Sequence, residues 1–100
     1  MAMGNGMGIT AQNGLIMSKT LTQLAGDMAS FYNVSISEAE TALQAIYTGE
    51  TETLKRYGIV ITEVNLQEYA RRQGIQKSIT QMTQLEKVML RYNYVMEVTS

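Results

Sequence analysis

The chain has 100 residues, with eight basic and nine acidic side chains, a net charge of −1, and no cysteine, histidine or proline. A chain of this length forms one small domain or part of a larger protein. Its balanced charge creates no field for a polyanion, so we expect no nucleic-acid contact. The missing cysteine and histidine exclude disulfides, thiolate chemistry and the commonest metal ligands, so we expect neither an enzyme nor a cofactor. No apolar run approaches the roughly 18 residues needed to span a membrane.

Residues 1–16 are rich in glycine and methionine, a composition too entropic to hold a regular element unaided. We therefore expect residues 1–16 to be a flexible lead or a cloning boundary, and residues 17–100 to be the helical module of a longer protein. The alternative is that the apolar residues of the lead dock on a neighbour. The first basic residue is Lys19, so the segment lacks the charged start of a signal peptide.

The first predicted helix runs from Met17 to Tyr32, with Ser18 or Thr20 as its cap. Steps of three and four between apolar residues indicate one buried face. That face comprises Leu21, Leu24, Ala25, Met28, Phe31 and Tyr32.

The second predicted helix begins with a capping box at Ser35 and Glu38 and continues to about Thr48. The connection between the two helices is short, which favours direct packing between them. The predicted apolar face of the second helix comprises Ile36, Ala39, Leu43, Ile46 and Tyr47.

Three glycines mark the next helix ends. Gly49 and Gly58 bracket a short predicted helix, Glu52 to Tyr57, which Glu50 or Thr51 would cap and whose charges match the helix dipole. Residues 59–61 (IVI) predict a buried extended connector. Thr62 then caps a helix from 63 to 73, which buries Leu66, Tyr69 and Ala70 and closes at Gly74.

The segment from Ile75 to about Val98 predicts the longest helix, and completes an all-α bundle of four to five helices. Five residues at alternating steps of three and four form what we call the methionine seam: Met82, Leu85, Met89, Tyr92 and Met96. One interpretation is a helix face packed inside its own domain. The other is a surface that meets another chain, or a further helix, and permits self-association.

The polar stretch YTGETETLKRYGIVIT, residues 47–62, invites interpretation as an active or metal site. Glu50, Glu52 and Glu63 do not have the close spacing and charge of a hard-cation loop, because Lys55 and Arg56 lie among them. A single glycine before a helix start also lacks the lysine and hydroxyl of a P-loop. We therefore interpret the stretch as two helix ends around one short helix.

Three blocks of the sequence resemble segments of phage tail tape measure proteins. Residues 21–75, LTQLAGDMASFYNVS followed by GETETLKRYGI and ITEVNL, are similar to the family form LASDLASFYNTS…EALNAL…GETEPLKRFGI with LTEANL. Residues 85–100, LEKVMLRYNYVMEVTS, resemble its EKVQLRYNYVM. The order and spacing of the blocks agree over about four-fifths of the chain. Thr53 stands where the family form has proline, which a helix tolerates near its start.

The resemblance implies a segment of a much longer, mostly helical structural protein that sets tail length during assembly and lies in the virion tail. It implies other tail proteins and tail assembly chaperones as partners, in a phage or a prophage, and it transfers no catalytic or ligand residues. The alternative is a small helical adaptor or regulatory module that binds a partner through the methionine seam.

Overall fold

The structure, a computed structural model, describes residues 11–100, with side chains from residue 14 onward. The described part is all-α, as predicted, and contains no strand. Five α-helices and two 3-10 helices follow one another along the chain: α1 (Ala11–Tyr32), α2 (Ile36–Leu43), α3 (Ala45–Thr48), a 3-10 helix (Thr51–Tyr57), α4 (Glu63–Arg72), a second 3-10 helix (Ile79–Gln81) and α5 (Gln84–Thr99).

Helix α1 begins well before the predicted start, at Ala11. Residues 11–16, which we expected to belong to a flexible lead, are therefore helical, and residues 1–10 lie outside the described residues. The proposed caps at Ser18 and Thr20 are wrong, because both lie inside the helix. The helix ends where Asn33 adopts a left-handed conformation with φ of 58°. The Val34 amide then bonds the Ala29 carbonyl at 3.0 Å, which closes the last turn.

The second predicted helix is interrupted at one residue, Gln44, between α2 and α3, although Gln44 keeps right-handed helical angles (φ −62°, ψ −17°). Ser35 caps α2 by accepting a hydrogen bond from the Glu38 amide, as predicted. The Glu38 carboxylate reaches Arg56 instead of the Ser35 amide, so only half of the expected box forms. Ala39, Leu43 and Ile46 are buried, as predicted.

Four aromatic and aliphatic side chains assigned to the core are exposed. The prediction of buried positions is wrong for residues at the ends of α1, α2 and α3: Phe31, Tyr32, Ile36 and Tyr47. These residues carry the correct helical spacing but lie at helix ends, where neighbouring elements cover them only in part. Periodicity assigns a face to a helix but does not indicate how far along the helix its partner extends.

The predicted helix ends at three glycines are confirmed. Gly49, Gly58 and Gly74 all have positive φ, between 75° and 85°. The segment between the first two is a 3-10 helix whose preceding residue, Glu50, makes no side-chain cap. Thr51 does not cap it either, because its hydroxyl donates to the Ile61 carbonyl at 3.0 Å. Both proposed caps of this helix are therefore wrong.

The connector after Gly58 alternates between core and surface. Ile59 and Ile61 are buried, whereas Val60 is exposed, so the expectation of a fully buried segment is wrong at its central residue. Thr62 caps α4 by accepting from the Asn65 amide, as predicted. Helix α4 buries the three predicted core residues and closes at Gly74, where the Ile75 amide bonds the Ala70 carbonyl at 2.8 Å.

The C-terminal segment is not one helix. Residues 75–78 form a loop, a 3-10 turn follows, and Met82 is extended with ψ of 147° before α5 begins. Thr83 and Glu86 form a complete capping box at that start, which the sequence analysis overlooked. Helix α5 therefore has 16 residues and is shorter than α1, which has 22.

One hydrophobic core joins all of these elements. Its largest fully buried side chains come from α3, the first 3-10 helix and α5: Ile46, Leu54 and Val95. Helix α5 contacts both α3 and α4, and α1 packs on α2. The C-terminal helix therefore closes the core against elements from the middle of the chain.

Candidate functional site

The methionine seam is the surface that the sequence analysis singled out. Helix α5 brings four of its five members to one flank, at the expected helical spacing. Met82 precedes the helix and is buried. Leu85 is 47% exposed, and the remaining three, Met89, Tyr92 and Met96, are half-buried and packed against the core. The seam is thus a partly exposed border of the core.

The residues that α5 buries most deeply lie beside the seam. Val88, Arg91 and Val95 are separated by steps of three and four and point into the core, and Leu90 is buried on another side. Arg91 is the one charged side chain that is buried among those described, with 8% of its surface exposed. A buried arginine on a core face is uncommon, since charged groups stay in water unless paired.

Arg91 connects α5 to the end of α3. Its Nε atom donates a 2.7 Å hydrogen bond to the carbonyl oxygen of Ile46, in the last turn of α3. Carbonyls in that position lack a partner within the helix, and a cation suits the negative end of the helix dipole. Burial lowers the pKa of Arg91, because removal from water disfavours the charged form. The guanidinium nevertheless stays charged at neutral pH.

The guanidinium also lies directly under Gly49. A Cβ atom built on Gly49 would lie 3.6 Å from Nη1 of Arg91, with Cζ and Nη2 within 3.9 Å. Gly49 itself is exposed and holds the left-handed conformation that ends α3. The guanidinium therefore lies just below the surface at the junction of α3 and α5.

Arg91 is not among the residues predicted to be buried, because arginine side chains usually lie at the surface. A signal was present in the sequence: Arg91 follows Val88 by three residues and precedes Val95 by four, within the run VMLRYNYVM, whose other members are aliphatic or aromatic except Asn93. That spacing places it on the same helix face as two β-branched aliphatics.

A second cluster joins the end of α1 to the first 3-10 helix. The Tyr32 hydroxyl donates to the Tyr57 carbonyl at 2.9 Å, and the two rings meet edge to face at 5.1 Å. Arg56 covers the other side of the Tyr57 ring, with 5.3 Å from Cζ to the centroid, and pairs with Glu38 at 3.2 Å. Phe31 packs edge to face on Tyr32 but is 81% exposed. This cluster fixes the corner between α1, α2 and the 3-10 helix.

The acidic side chains of residues 47–62 point into solvent. The carboxylates of Glu50, Glu52 and Glu63 are exposed, and Glu52 pairs with Lys55 at 3.1 Å. Within residues 11–100, no three acidic side chains come close enough together to hold a metal ion. The stretch instead supplies backbone groups that side chains outside it bind: Tyr32 binds the carbonyl of Tyr57, and Tyr94 binds that of Val60.

Grooves in the described part are shallow and mixed in polarity. One of about 290 Å³ lies between α1 and the α2–α3 pair. Its polar groups are exposed hydroxyl, amide and carboxylate side chains that make no catalytic pair. It is lined by Ser18, Leu21, Thr22, Glu40, Leu43, Gln44 and Tyr47.

None of the helices between residues 11 and 100 is both long enough and apolar enough to cross a bilayer. Comparison of the chain with protein-family models, with curated proteins and with solved structures gives no match.

Proposed function

We propose that this chain is a folded segment of a phage or prophage tail tape measure protein, a structural component of the virion tail. The observation that carries the proposal is the resemblance of three sequence blocks in matching order and spacing. Its partners would be other tail proteins and tail assembly chaperones. The proposal assigns no reaction to the chain.

Contacts between the three blocks support the proposal. Arg91, in the last block, bonds Ile46 and lies under Gly49, the first residue of GETETLKRYGI. Tyr32, in the first block, bonds the backbone of Tyr57 in the second. Residues within the matched blocks therefore contribute to the contacts that join the elements.

The points where the chain departs from the family form are also compatible with the same fold. Tyr57 stands at the phenylalanine of KRFGI, and the atom that Tyr32 binds there is the backbone carbonyl, which both residues supply. Thr53 stands at its proline, in the first turn of the 3-10 helix, where a missing amide proton costs little. The hydroxyl of Thr53 makes only long contacts, of 3.4 and 3.5 Å.

The compact shape gives the proposed ruler segment a defined length. The module measures 40 × 30 × 21 Å, whereas one continuous helix of about 90 residues would extend about 135 Å. A folded module therefore contributes at most about a third of the length that its residues could supply. We expect it to act as an attachment point within the ruler more than as a spacer.

The genomic locus tests the proposal first. We expect genes for tail tube, tail tip or assembly chaperone beside the gene for this chain, and a locus without any tail gene would contradict it.

In-frame deletion of the codons for residues 11–100 then tests how much tail length this segment sets. For a folded module, the tail should shorten by no more than the longest dimension of the module, 40 Å. Shortening near the length of a continuous helix, about 135 Å, would show that the segment extends during assembly.

A second candidate function is a small helical adaptor that binds a partner protein through the methionine seam. The observation that favours it is the exposed side of the seam, where Leu85 leaves nearly half of its surface in water. Leu85→Asp tests this candidate better than Met89→Asp, because Met89 also packs on the core. Light scattering at high concentration should show self-association that Leu85→Asp abolishes. If the unchanged chain is monomeric at every concentration, the methionine seam does not mediate self-association.

A further inference from the structure

Arg91 has more hydrogen-bonding capacity than the chain uses. Its Nε atom is satisfied by Ile46, but Nη1 and Nη2 have no hydrogen-bond acceptor among the side chains and backbone described. Four ion pairs occur in the described part, and all of them use other basic residues, Lys55, Arg56, Arg72 and Lys77. The buried guanidinium is therefore a cation without a counter-charge.

The residues that the structure does not describe cannot supply an acidic side chain to pair with Arg91. Residues 1–10, MAMGNGMGIT, contain neither aspartate nor glutamate, so all nine acidic side chains lie within the described residues. None of these nine comes within ion-pair distance of Arg91. A side-chain counter-ion for the guanidinium must come from outside this chain.

Physical chemistry gives a reason to expect such a counter-ion. Buried charges in proteins are generally paired, because an ion held out of water without a partner is strongly disfavoured. The planar guanidinium fork matches the two oxygens of a carboxylate, which it binds with two parallel hydrogen bonds.

Arg91 is buried, but its guanidinium lies directly beneath an exposed residue, Gly49. A Cβ atom at position 49 would contact Nη1, Cζ and Nη2, and glycine leaves that contact unmade. Glu50, the exposed residue that follows Gly49, is acidic, and its negative charge disfavours a multiply charged anion more than a singly charged one. A singly charged carboxylate suits the site better than phosphate.

We propose that the Arg91 guanidinium binds a carboxylate from outside this chain, at the surface beside Gly49. The carboxylate is a small free ion or an acidic side chain of a partner protein. This inference is independent of the proposed tail function and holds for either candidate function.

Thermal unfolding of the full chain in sodium formate and in sodium chloride at equal ionic strength tests the site. Formate should raise Tm above its value in chloride, by about 6 °C at ten times Kd. The rise should vanish in Arg91→Met, which keeps the length of the buried stem, and should persist in Arg71→Met, which changes an exposed arginine. Equal Tm values in the two salts, or an undiminished rise in Arg91→Met, would overturn the proposal.

A second measurement covers the case in which Arg91→Met does not fold. In the unchanged chain, the NMR signal of the Arg91 Nε–H group should shift on titration with formate and stay fixed with chloride. A short glutamate peptide with blocked ends distinguishes the two sources: tighter binding than formate indicates a partner side chain, and equal binding indicates a free ion. If the Arg91 signal shifts with none of these carboxylates, Arg91 does not bind a carboxylate and the proposal is wrong.

Discussion

The Nε atom of Arg91 donates a 2.7 Å hydrogen bond to the carbonyl of Ile46, so α5 is fastened to the last turn of α3. Arg91→Ala removes this bond and the buried stem of the side chain. We expect it to lower the free energy of unfolding by about 2–4 kcal/mol. Urea denaturation measures the difference, with Arg71→Ala, on the exposed face of α4, as the matched control at under about 0.5 kcal/mol. Equal losses of unfolding free energy in Arg91→Ala and Arg71→Ala would mean that the Arg91 hydrogen bond does not stabilise the packing of α5 on α3.

Alanine substitutions at two helix-ending glycines, Gly49 and Gly74, distinguish the cost of backbone strain from the cost of side-chain crowding. Gly49→Ala and Gly74→Ala both force a Cβ into left-handed conformations with φ of 85° and 83°. Each should reduce the free energy of unfolding by about 1–2 kcal/mol. Only Gly49 would place its Cβ near another side chain, at an ordinary contact distance of 3.6 Å from Arg91. Urea denaturation of the two variants should therefore show similar losses, and a much larger loss at Gly49 would mean that Arg91 cannot accommodate the methyl group.

Gly26→Ala serves as the control for these two substitutions, because Gly26 lies inside a helix and has no left-handed conformation. Gly26 lies inside α1 with a helical conformation and has no atom within 4 Å of its added Cβ. Alanine there should increase the free energy of unfolding by about 0.5–1 kcal/mol. A loss of stability in Gly26→Ala would contradict the placement of α1.

Adjacent aromatic residues at the end of α1 should differ sharply in their importance. Tyr32→Phe keeps the ring contact with Tyr57 but removes the hydroxyl that binds its carbonyl. We expect a loss of about 0.5–1.5 kcal/mol in the free energy of unfolding. Phe31→Ala should change it by less than about 0.5 kcal/mol, because Phe31 is mostly in water. Chemical denaturation of both variants measures the two losses. A larger loss in Phe31→Ala than in Tyr32→Phe would contradict the contact between Tyr32 and Tyr57.

The capping box of α5 should make stability depend on pH in the acid range. The Thr83 amide, which donates to Glu86 at 2.7 Å, and then Lys77, at 2.9 Å, hold the pKa of Glu86 below its ordinary value of 4.5. Because the folded state has the lower pKa, the contribution to stability is fully present above about pH 4.5. It is lost as pH falls through the lower, folded pKa.

Glu86→Gln isolates that effect, since glutamine can keep the box without a charge. The stability difference between the unchanged chain and this variant should shrink as pH falls below 4.5. NMR titration of the Glu86 carboxyl should give a midpoint under 4.5. A midpoint at or above that value would contradict the ion pair and cap described.

Helix ends were predictable wherever local chemistry decides them. Gly49, Gly58 and Gly74 end helices because glycine adopts positive φ without strain, and Ser35 and Thr62 begin them because their hydroxyls bind free amides. The loop at 75–78 was missed because the segment contains no proline, and because Ile79 and Met82 extend the apolar spacing of α5 backwards. The capping box at Thr83 and Glu86 carried the missing signal.

The candidate site was less predictable, because it depends on tertiary contacts. Sequence spacing grouped Leu85, Met89, Tyr92 and Met96 correctly on one flank of α5, but could not show that the core lies beside them. It placed Phe31 and Ile36 in the core because a helical period does not locate the partner helix. The spacing of Arg91 from Val88 and Val95 indicates a buried face, but its hydrogen bond to the Ile46 carbonyl of α3 is a tertiary contact that spacing does not predict.

Mass spectrometry of purified tails is the measurement that tests the functional proposal most directly. Tails would be prepared from the phage, or from the induced host strain, that carries the gene. Peptides from residues 11–100 should co-purify with the tail tube protein and remain after washing at high salt. Their absence from intact tails, with the same peptides present in the soluble host fraction, would contradict a role as a segment of the tape measure protein.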